Sequence, residues 1–432
     1  MSDIRSFIDI IKKGNELIEI NKEVSTKFEV AALIKQTDKT ILFNNIQDNK
    51  FRIVANLCNT RKKFGLAIDS EDIHSKILNA ITNNRELLYE DIKARNIAND
   101  LSILPIVTHF EKDSGPFITS SIVFARNENK IQNASVHRML LIDEKHLAIR
   151  MVEGRHLDRC YQYAKEHGED LQVVITIGVH PAVLIAAAYQ AAYNFNEMKI
   201  AAALTDLKVS TINDLEIPSH AEFILEGRII KDLYHKESMV EMLRTYDHVR
   251  SQPVFEVEKI RYRDNAIYHD ILAGYNEHRL LMGLPIEAKI EQAVKGIANV
   301  KKVRLTDGGC NWLHAVIQIS KRLEGEPKNI LLAAFAAHPS LKLAIIVDDD
   351  IDPEDPVAIE YALATRFQAD EDLIIINKAK GSSLDPSSDQ EHLLTSKMGI
   401  DATIPLYKRR EGFEIAKIPN EDNIRIEDYV KY

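Results

Sequence analysis

The chain has 432 residues, 45% of them hydrophobic and 28% charged, and a formal net charge of -10. That length exceeds one ordinary core and predicts two or three domains. The acidic balance argues against a nucleic-acid partner, and no apolar run approaches the roughly 18 residues of a membrane helix. Residues 1–20 read as an amphipathic helix broken at Gly14, not as a signal peptide, so a cytoplasmic location is expected. Cys58, Cys160 and Cys310 form no CxxC motif, which argues against a disulfide framework or structural zinc site and leaves them as small hydrophobes.

In chain order, residues 1–105 alternate helix signals (7–11, 29–34) with strand signals (41–43, 51–55). The stretch 70–98, rich in Ile, Leu, Glu and Arg, predicts one or two helices, which completes an α/β pattern. A turn at Ser114-Gly115-Pro116 opens a β-rich region with strands over 117–125, 135–142 and 146–152 and a polar hairpin at 127–132. A helix over 155–167 and a strand over 172–177 follow. Gly178-Val179-His180-Pro181 then turns into an alanine-rich helix over 182–193, before strands at 208–212, 223–230 and 254–262. Mostly antiparallel strands with few helices predict a barrel-like α+β middle domain.

From Tyr268 the pattern is helical, with 287–297 suited to bridge domains. Strand 300–305, helix 311–321, helix or strand 330–337, strand 343–347, helix 356–365 and strand 372–376 then give βαβ order and predict a parallel sheet. The expected domains are 1–105, 106–285 and 286–432, the last comprising a linker helix, an α/β domain and a loop-rich tail for subunit contacts.

Individual motifs are weak. Val347-Asp348-Asp349-Asp350-Ile351-Asp352 offers carboxylates to magnesium or calcium but lacks the ligand rhythm and glycine of an EF-hand. The preferred reading is a strand end whose acids cap the next loop or meet a partner subunit. The turns at Gly178 and at Gly308-Gly309 fit neither nucleotide fingerprint, and Ser120-Ser121 lacks a GxSxG context. Glu237 and Glu241 share a helix face or a compact loop, and by spacing alone a solvated face is commoner. Asn133, His156 and Glu197 likewise make no metal site by spacing alone.

Taken in order, longer strings carry more. Pro105-Ile106-Val107-Thr108-His109 with Gly115-Pro116-Phe117-Ile118-Thr119, Asn133-Ala134-Ser135-Val136-His137-Arg138, and Ile217-Pro218-Ser219-His220-Ala221-Glu222 leading to Leu225-Glu226-Gly227 resemble the UbiD family of prenylated-FMN-dependent decarboxylases. The Val347–Asp352 string, Ala364-Thr365-Arg366 and Leu384-Asp385-Pro386 extend the resemblance over nearly the whole chain. It implies an N-terminal α/β domain, a central split β-barrel of flavin-reductase type and a C-terminal α/β domain. It also implies a metal site at Asn133, His156 and Glu197 for manganese or magnesium, with potassium nearby, joined to the phosphate of prenylated FMN. The cofactor would be lined by Val136, His137, Arg138, Arg150, Met151, Val152, Arg155 and His156.

The same resemblance assigns Arg138, Glu237 and Glu241 to catalysis, with Glu241 as proton donor. Relatives read E-G-P-F-x-[ED]; this chain reads Glu237-Ser238-Met239-Val240-Glu241, one residue shorter and without the glycine and proline. The register of Thr245-Tyr246-Asp247 and Gln252-Pro253-Val254 supports aligning Glu241 with the final acid. These strings and Glu277-His278-Arg279-Leu280-Leu281-Met282-Gly283 look most like archaeal members, some of which convert trans-anhydromevalonate 5-phosphate to isopentenyl phosphate in isoprenoid synthesis. His220, Arg244 and Arg250 are unranked candidates for its phosphate. The alternatives are an aromatic acid decarboxylase of polyprenyl-4-hydroxybenzoate type and a non-catalytic flavin- or metal-binding homologue. A flavin prenyltransferase as cofactor supplier and a dimeric or hexameric homo-oligomer complete the expectation.

Overall fold

The computed structural model describes residues 3–430. At its centre, strands Phe223–Glu237, Leu171–Ile177, Phe117–Arg126, Gln132–Leu141, His146–Ile149 and Arg250–Tyr262 pair side by side in that order. The first and last also pair with each other, closing a six-stranded antiparallel barrel, the form expected of a flavin-reductase-type split barrel. Closure satisfies the backbone of both outer strands. Along Phe117–Arg126, Val123 and Ala125 join the cluster containing Leu225, Phe255 and Val257, whereas Ile122 and Phe124 pack with helix Pro181–Ala188. Both faces of this strand are therefore covered there, which explains the unbroken apolar run Ile122–Ala125. At Gly227 the two long strands slip register, and a Cβ there would stand 2.1 Å from the Glu256 carbonyl oxygen. The bulge needs glycine.

The N-terminal sheet comprises Leu17–Ile20, Thr40–Phe43 and Arg52–Ala55, to which Ile267–His269 adds a parallel strand after the barrel is complete. This return ties the first layer to the barrel. Helix Asn276–Val294, longer than expected and with Pro285 inside it, then leads to the C-terminal sheet. That sheet runs Asn299–Leu305, His314–Ser320, Leu343–Asp348, Leu394–Ala402, Leu373–Lys380. Only its three central strands are parallel; both edges are antiparallel, so the expected parallel sheet is in fact mixed.

Three local expectations change. The helix expected at 311–321 is the strand His314–Ser320. Ala315, Ile317 and Ile319 enter one core cluster and Val316 another, a two-residue period concealed because both faces are apolar. Within 70–98 only Ile73–Thr82 is an α-helix; Leu88–Tyr89 and Asn96–Ala98 are drawn into sheets by Lys208–Ile212 and Arg250–Tyr262. The helix expected over 182–193 stops at Ala188, because Asn127 and Glu128 hold Tyr193 and Asn194 in a loop.

The Asp348–Asp352 acids serve structure. Arg366 binds Asp348 at 2.7 Å and Asp350 at 2.6 Å, and Asp348 also accepts from the Ile404 amide. The Gly178 turn offers no open helix start, since His180 Nδ1 accepts from the Ala182 amide. Cys58 and Cys160 are buried, and burial drives the Cys160 thiol up to about 12. Among the described residues no helix is long and apolar enough to cross a membrane.

Candidate active site

Strands Phe223–Glu237 and Arg250–Tyr262 extend beyond the expected 223–230 and 254–262, pairing Glu237 with Arg250 at the ribbon's end. The connection is a compact loop and not a helical turn. The Glu241 amide donates to the Thr245 carbonyl (2.9 Å), and the Asp247 amide to the Met239 carbonyl (3.0 Å). Ser114 Oγ accepts from the Ser238 amide and Asp113 from the Val240 amide, fixing the loop to the barrel. Its other side rests on Gly274, at φ +75°, where a Cβ would lie 2.7 Å from Arg244 Cγ and 2.9 Å from the Glu241 carbonyl oxygen. The shortened loop needs this glycine.

Arg138, in the middle strand Gln132–Leu141, gathers three carboxylates. Its Nη1 donates to Glu241, while Nη2 donates to Glu237 at 3.0 Å and to Asp247 at 3.3 Å. Arg250 grips Asp247 through Nε and Nη2 at 2.7 and 2.8 Å. Side-chain exposure is 1% for Glu237, 2% for Asp247 and 16% for Glu241, so Glu241 is the acid open to a substrate. Burial opposes the Arg138 charge, but Glu241 and Glu237 outweigh it and raise the guanidinium well above its usual range. Burial likewise pushes Asp247 up, and Arg250 and Arg138 more than reverse it, leaving Asp247 below the usual carboxylate range.

Two neighbours were not singled out from sequence. Asp247 stood only as a register marker, and His278 only inside an archaeal-type string. His278 Nδ1 accepts from the Gly274 amide at 3.1 Å. Burial lowers its pKa, with Arg138 and Arg279 adding to the effect and Glu241 opposing it, so the ring is neutral at neutral pH.

At the other end of the same strand, Asn133, His156 and Glu197 converge. Asn133 Nδ2 lies 3.2 Å from Glu197 Oε1 and 3.4 Å from His156 Nδ1, and His156 Nδ1 lies 3.8 Å from Glu197 Oε1. The Ala134 amide donates to Glu197 Oε2 at 2.9 Å. His156 begins helix His156–Glu166 and packs edge-on against Tyr193. Glu197 is 1% exposed, and among the described residues no lysine or arginine pairs with it. A buried carboxylate lacking a cation is the strongest local sign of a missing positive charge. Among the described residues no group of three or more His, Cys, Asp or Glu is arranged for a metal, so this mixed amide–imidazole–carboxylate set is the candidate.

Ser135 Oγ lies 3.0 Å from Asn133 Oδ1 and 2.8 Å from His137 Nε2. Burial pushes His137 down to about 4, so the neutral ring donates Nδ1–H to the Arg150 carbonyl and takes the single Ser135 proton at Nε2. Ser135 Oγ is then an acceptor toward Asn133, which is satisfied when the Asn133 amide is turned to place Nδ2 beside Ser135 and Oδ1 toward Glu197 and His156. The two ligating atoms whose separation is fixed without that turn, His156 Nδ1 and Glu197 Oε1, stand 3.8 Å apart, under an ångström beyond the roughly 2.9 Å between adjacent ligands of an octahedral cation bound at about 2.0–2.1 Å. Small shifts would admit a divalent ion.

Between triad and acids, Ser135, Val136, His137 and Arg138 are all half-exposed in a strand otherwise largely buried. Residues 150–156 run beside them: the Arg150 amide donates to the Arg138 carbonyl, Met151 is buried, and Val152 (49%) and Arg155 are exposed. Arg138 Nε is buried without a hydrogen-bond partner. The residues expected to line a cofactor thus lie on two adjacent segments between a cation-deficient end and an acid-rich end.

The comparisons agree with this geometry. Residues 8–81, 83–276 and 279–402 match, in turn, the N-terminal, Rift-related and C-terminal domains of the UbiD family, described as 3-octaprenyl-4-hydroxybenzoate carboxy-lyase. The chain belongs to the UbiD family and is a carboxy-lyase. It is 43% identical over 426 residues to an anhydromevalonate phosphate decarboxylase of Methanocaldococcus jannaschii, covering 96% of this chain and 100% of the relative. It is 41% identical over 420 residues to a protein of the same name from Methanothermobacter thermautotrophicus, covering 93% of this chain and 97% of the relative. The UbiD-class enzyme HmfF from Pelotomaculum thermopropionicum, solved in complex with FMN, superimposes with a TM-score of 0.95 at 35% identity, covering 99% of this chain and 100% of that one. An evolved dimeric form of HmfF was solved in complex with prFMN.

Proposed function

We propose that the protein decarboxylates trans-anhydromevalonate 5-phosphate, an α,β-unsaturated acid, to isopentenyl phosphate, with prenylated FMN as cofactor. The observation that carries this reading is Arg138 held among Glu237, Asp247 and the more accessible Glu241. The names of the archaeal relatives support the substrate, and the flavin-bound HmfF structures support the cofactor.

Loss of carbon dioxide from such an acid leaves an electron pair on an sp2 carbon, and prenylated FMN, when bound, supplies the electron sink that no side chain can. The chain's own residues do the rest. Arg138, locked in its charged form, orients the substrate carboxylate. Glu237 and Asp247 keep the guanidinium in position. Glu241 delivers a proton to the carbon that lost the carboxylate and is reprotonated from solvent. Asn133, His156 and Glu197 would hold a divalent ion, manganese or magnesium, that offsets the charge of the cofactor phosphate, with potassium as a further ion, and Val136–Arg138, Arg150–Val152, Arg155 and His156 would line the flavin. A flavin prenyltransferase supplies the cofactor. Domain limits of 1–105, 106–285 and 286–432 remain our assignment. A homo-oligomer is supported by exposed apolar side chains in the charged tail, where Ile418, Ile426 and Tyr429 are 70, 72 and 75% exposed.

The test is to co-express the chain with a flavin prenyltransferase, verify loading by the cofactor spectrum and assay carbon dioxide and isopentenyl phosphate from trans-anhydromevalonate 5-phosphate. A loaded protein that leaves this acid unchanged overturns the reading; turnover of an aromatic acid instead would move it to the aromatic class.

A further inference from the structure

Two arginines beside the acid loop have no carboxylate partner. Arg279, in the first turn of helix Asn276–Val294, is 4% exposed. Its Nε donates to the Met242 carbonyl at 3.2 Å, which places it directly behind the loop residue after Glu241. Its Nη2 is buried with no hydrogen-bond partner. Arg244 lies two residues beyond Met242, at φ +63°, with its Cγ over Gly274 and its guanidinium 5.5 Å from the centre of the Tyr275 ring. Its backbone amide donates to the Glu241 carbonyl at 2.8 Å.

Among the described residues neither arginine forms an ion pair, whereas the nearby Arg138 and Arg250 are both tied to carboxylates. Burial lowers the Arg279 pKa and Arg244 lowers it further, more than Cys310, Asp307 and Tyr275 raise it. A guanidinium taken out of water without a counterion is costly, and a second one beside it adds repulsion. Arg244 is itself exposed to solvent, so an anion that reaches it would also offset the buried charge of Arg279.

We propose that Arg279 and Arg244 bind the phosphate of the substrate, so that the acid is held at both ends, by Arg138 at its carboxylate and by this pair at its phosphate. The assignment rests on the phosphorylated substrate proposed above. Guanidinium forks match phosphate oxygens, and Arg138, Arg244 and Arg279 all contact or belong to the one loop that carries Glu241. Of the three donors considered from sequence, His220 is bound to Glu90 at 2.7 Å and Arg250 to Asp247, which leaves Arg244. Arg279 emerges only from the fold.

The test compares kcat/KM of the holoenzyme for trans-anhydromevalonate 5-phosphate and for the same acid bearing a free 5-hydroxyl. Arg244→Gln and Arg279→Gln should each lower the ratio of the two values by about 10- to 100-fold, mainly through KM of the phosphorylated acid, the effect of losing a charge-assisted hydrogen bond. Arg279→Lys should recover part of the loss. An unchanged ratio, or an equal fall for both acids, overturns the proposal. Calorimetric titration of the full chain with inorganic phosphate provides a reading independent of turnover. Wild-type binding that Arg244→Gln weakens supports the subsite, and absence of saturable binding to wild type counts against it. If loaded wild type does not turn over the phosphorylated acid while phosphate binding still depends on Arg244, the substrate reading fails and the anion site stands.

Discussion

The two ends of strand Gln132–Leu141 make opposite use of buried charge. At the Arg138 end, guanidinium groups and carboxylates meet within hydrogen-bond distance, so the cluster is complete within the polypeptide. At the Asn133 end, Glu197 is as deeply buried as Glu237 but meets only an amide side chain, a backbone N–H and a histidine 3.8 Å away. A self-neutralised cluster is organised before anything binds. A cluster short of positive charge is finished by its ligand, and its affinity for a cation is the counterpart of its cost in the bare chain.

The largest effect that sharpens this contrast is kinetic. Glu241→Gln should lower kcat by about 10²- to 10⁴-fold, the contribution of a positioned proton donor, with the cofactor spectrum and metal content unchanged. Retained turnover in a normally loaded enzyme would remove Glu241 from its role. Next, His156→Ala should weaken manganese binding and cofactor retention by on the order of 100-fold, the upper end of what the loss of even an outer-shell partner costs a metal site. Metal analysis and flavin content of the purified variant check this, and normal loading would refute the ligand set. Glu237→Gln should then destabilise the bare chain by about 2 kcal/mol, because Arg138 loses a buried, charged acceptor; the urea midpoint measures it.

Acid pH probes the same end. The folded pKa of Asp247 lies below its unfolded value, so its contribution is fully present above the unfolded pKa and is lost as pH falls through the folded one. Asp247→Asn should therefore reduce the steepness of acid unfolding below about pH 4 while changing little of the slope near neutrality. An acid limb of unchanged slope would mean that the Arg138 and Arg250 contacts add nothing to stability.

Much of this architecture could be read from residue pattern, and the reasons for the failures are physical. Alternating apolar residues predicted the barrel strands, but closure between Phe223–Glu237 and Arg250–Tyr262 depends on pairing that no local window contains. The span 311–321 follows a Gly-Gly turn and is apolar on both faces of the strand His314–Ser320, so its pattern does not separate strand from helix. Asn133 and Glu197 are 64 positions apart, so their meeting was implied only by the ordered family strings. Asp247 enters the site because the ribbon pairs Glu237 with Arg250, and Arg279 because its helix begins against the acid loop. Both placements follow from tertiary contacts and leave no trace in spacing.

The smallest effect is the most discriminating, because the contrast predicts its sign. Glu197→Gln preserves shape and removes one buried negative charge that the bare chain does not neutralise. The new amide can still accept from the Ala134 amide, and its NH2 can donate to Asn133 once that amide is turned to present Oδ1, so hydrogen bonding is retained while the desolvation cost falls. The metal-free variant should be more stable than the metal-free parent by about 1 kcal/mol, opposite in sign to Glu237→Gln. Adding manganese should raise the denaturation midpoint of the parent and leave that of Glu197→Gln nearly unmoved. If both substitutions destabilise the metal-free chain alike, the two clusters do not differ in the way their geometry indicates, and Glu197 is a structural acid already satisfied by Asn133 and Ala134.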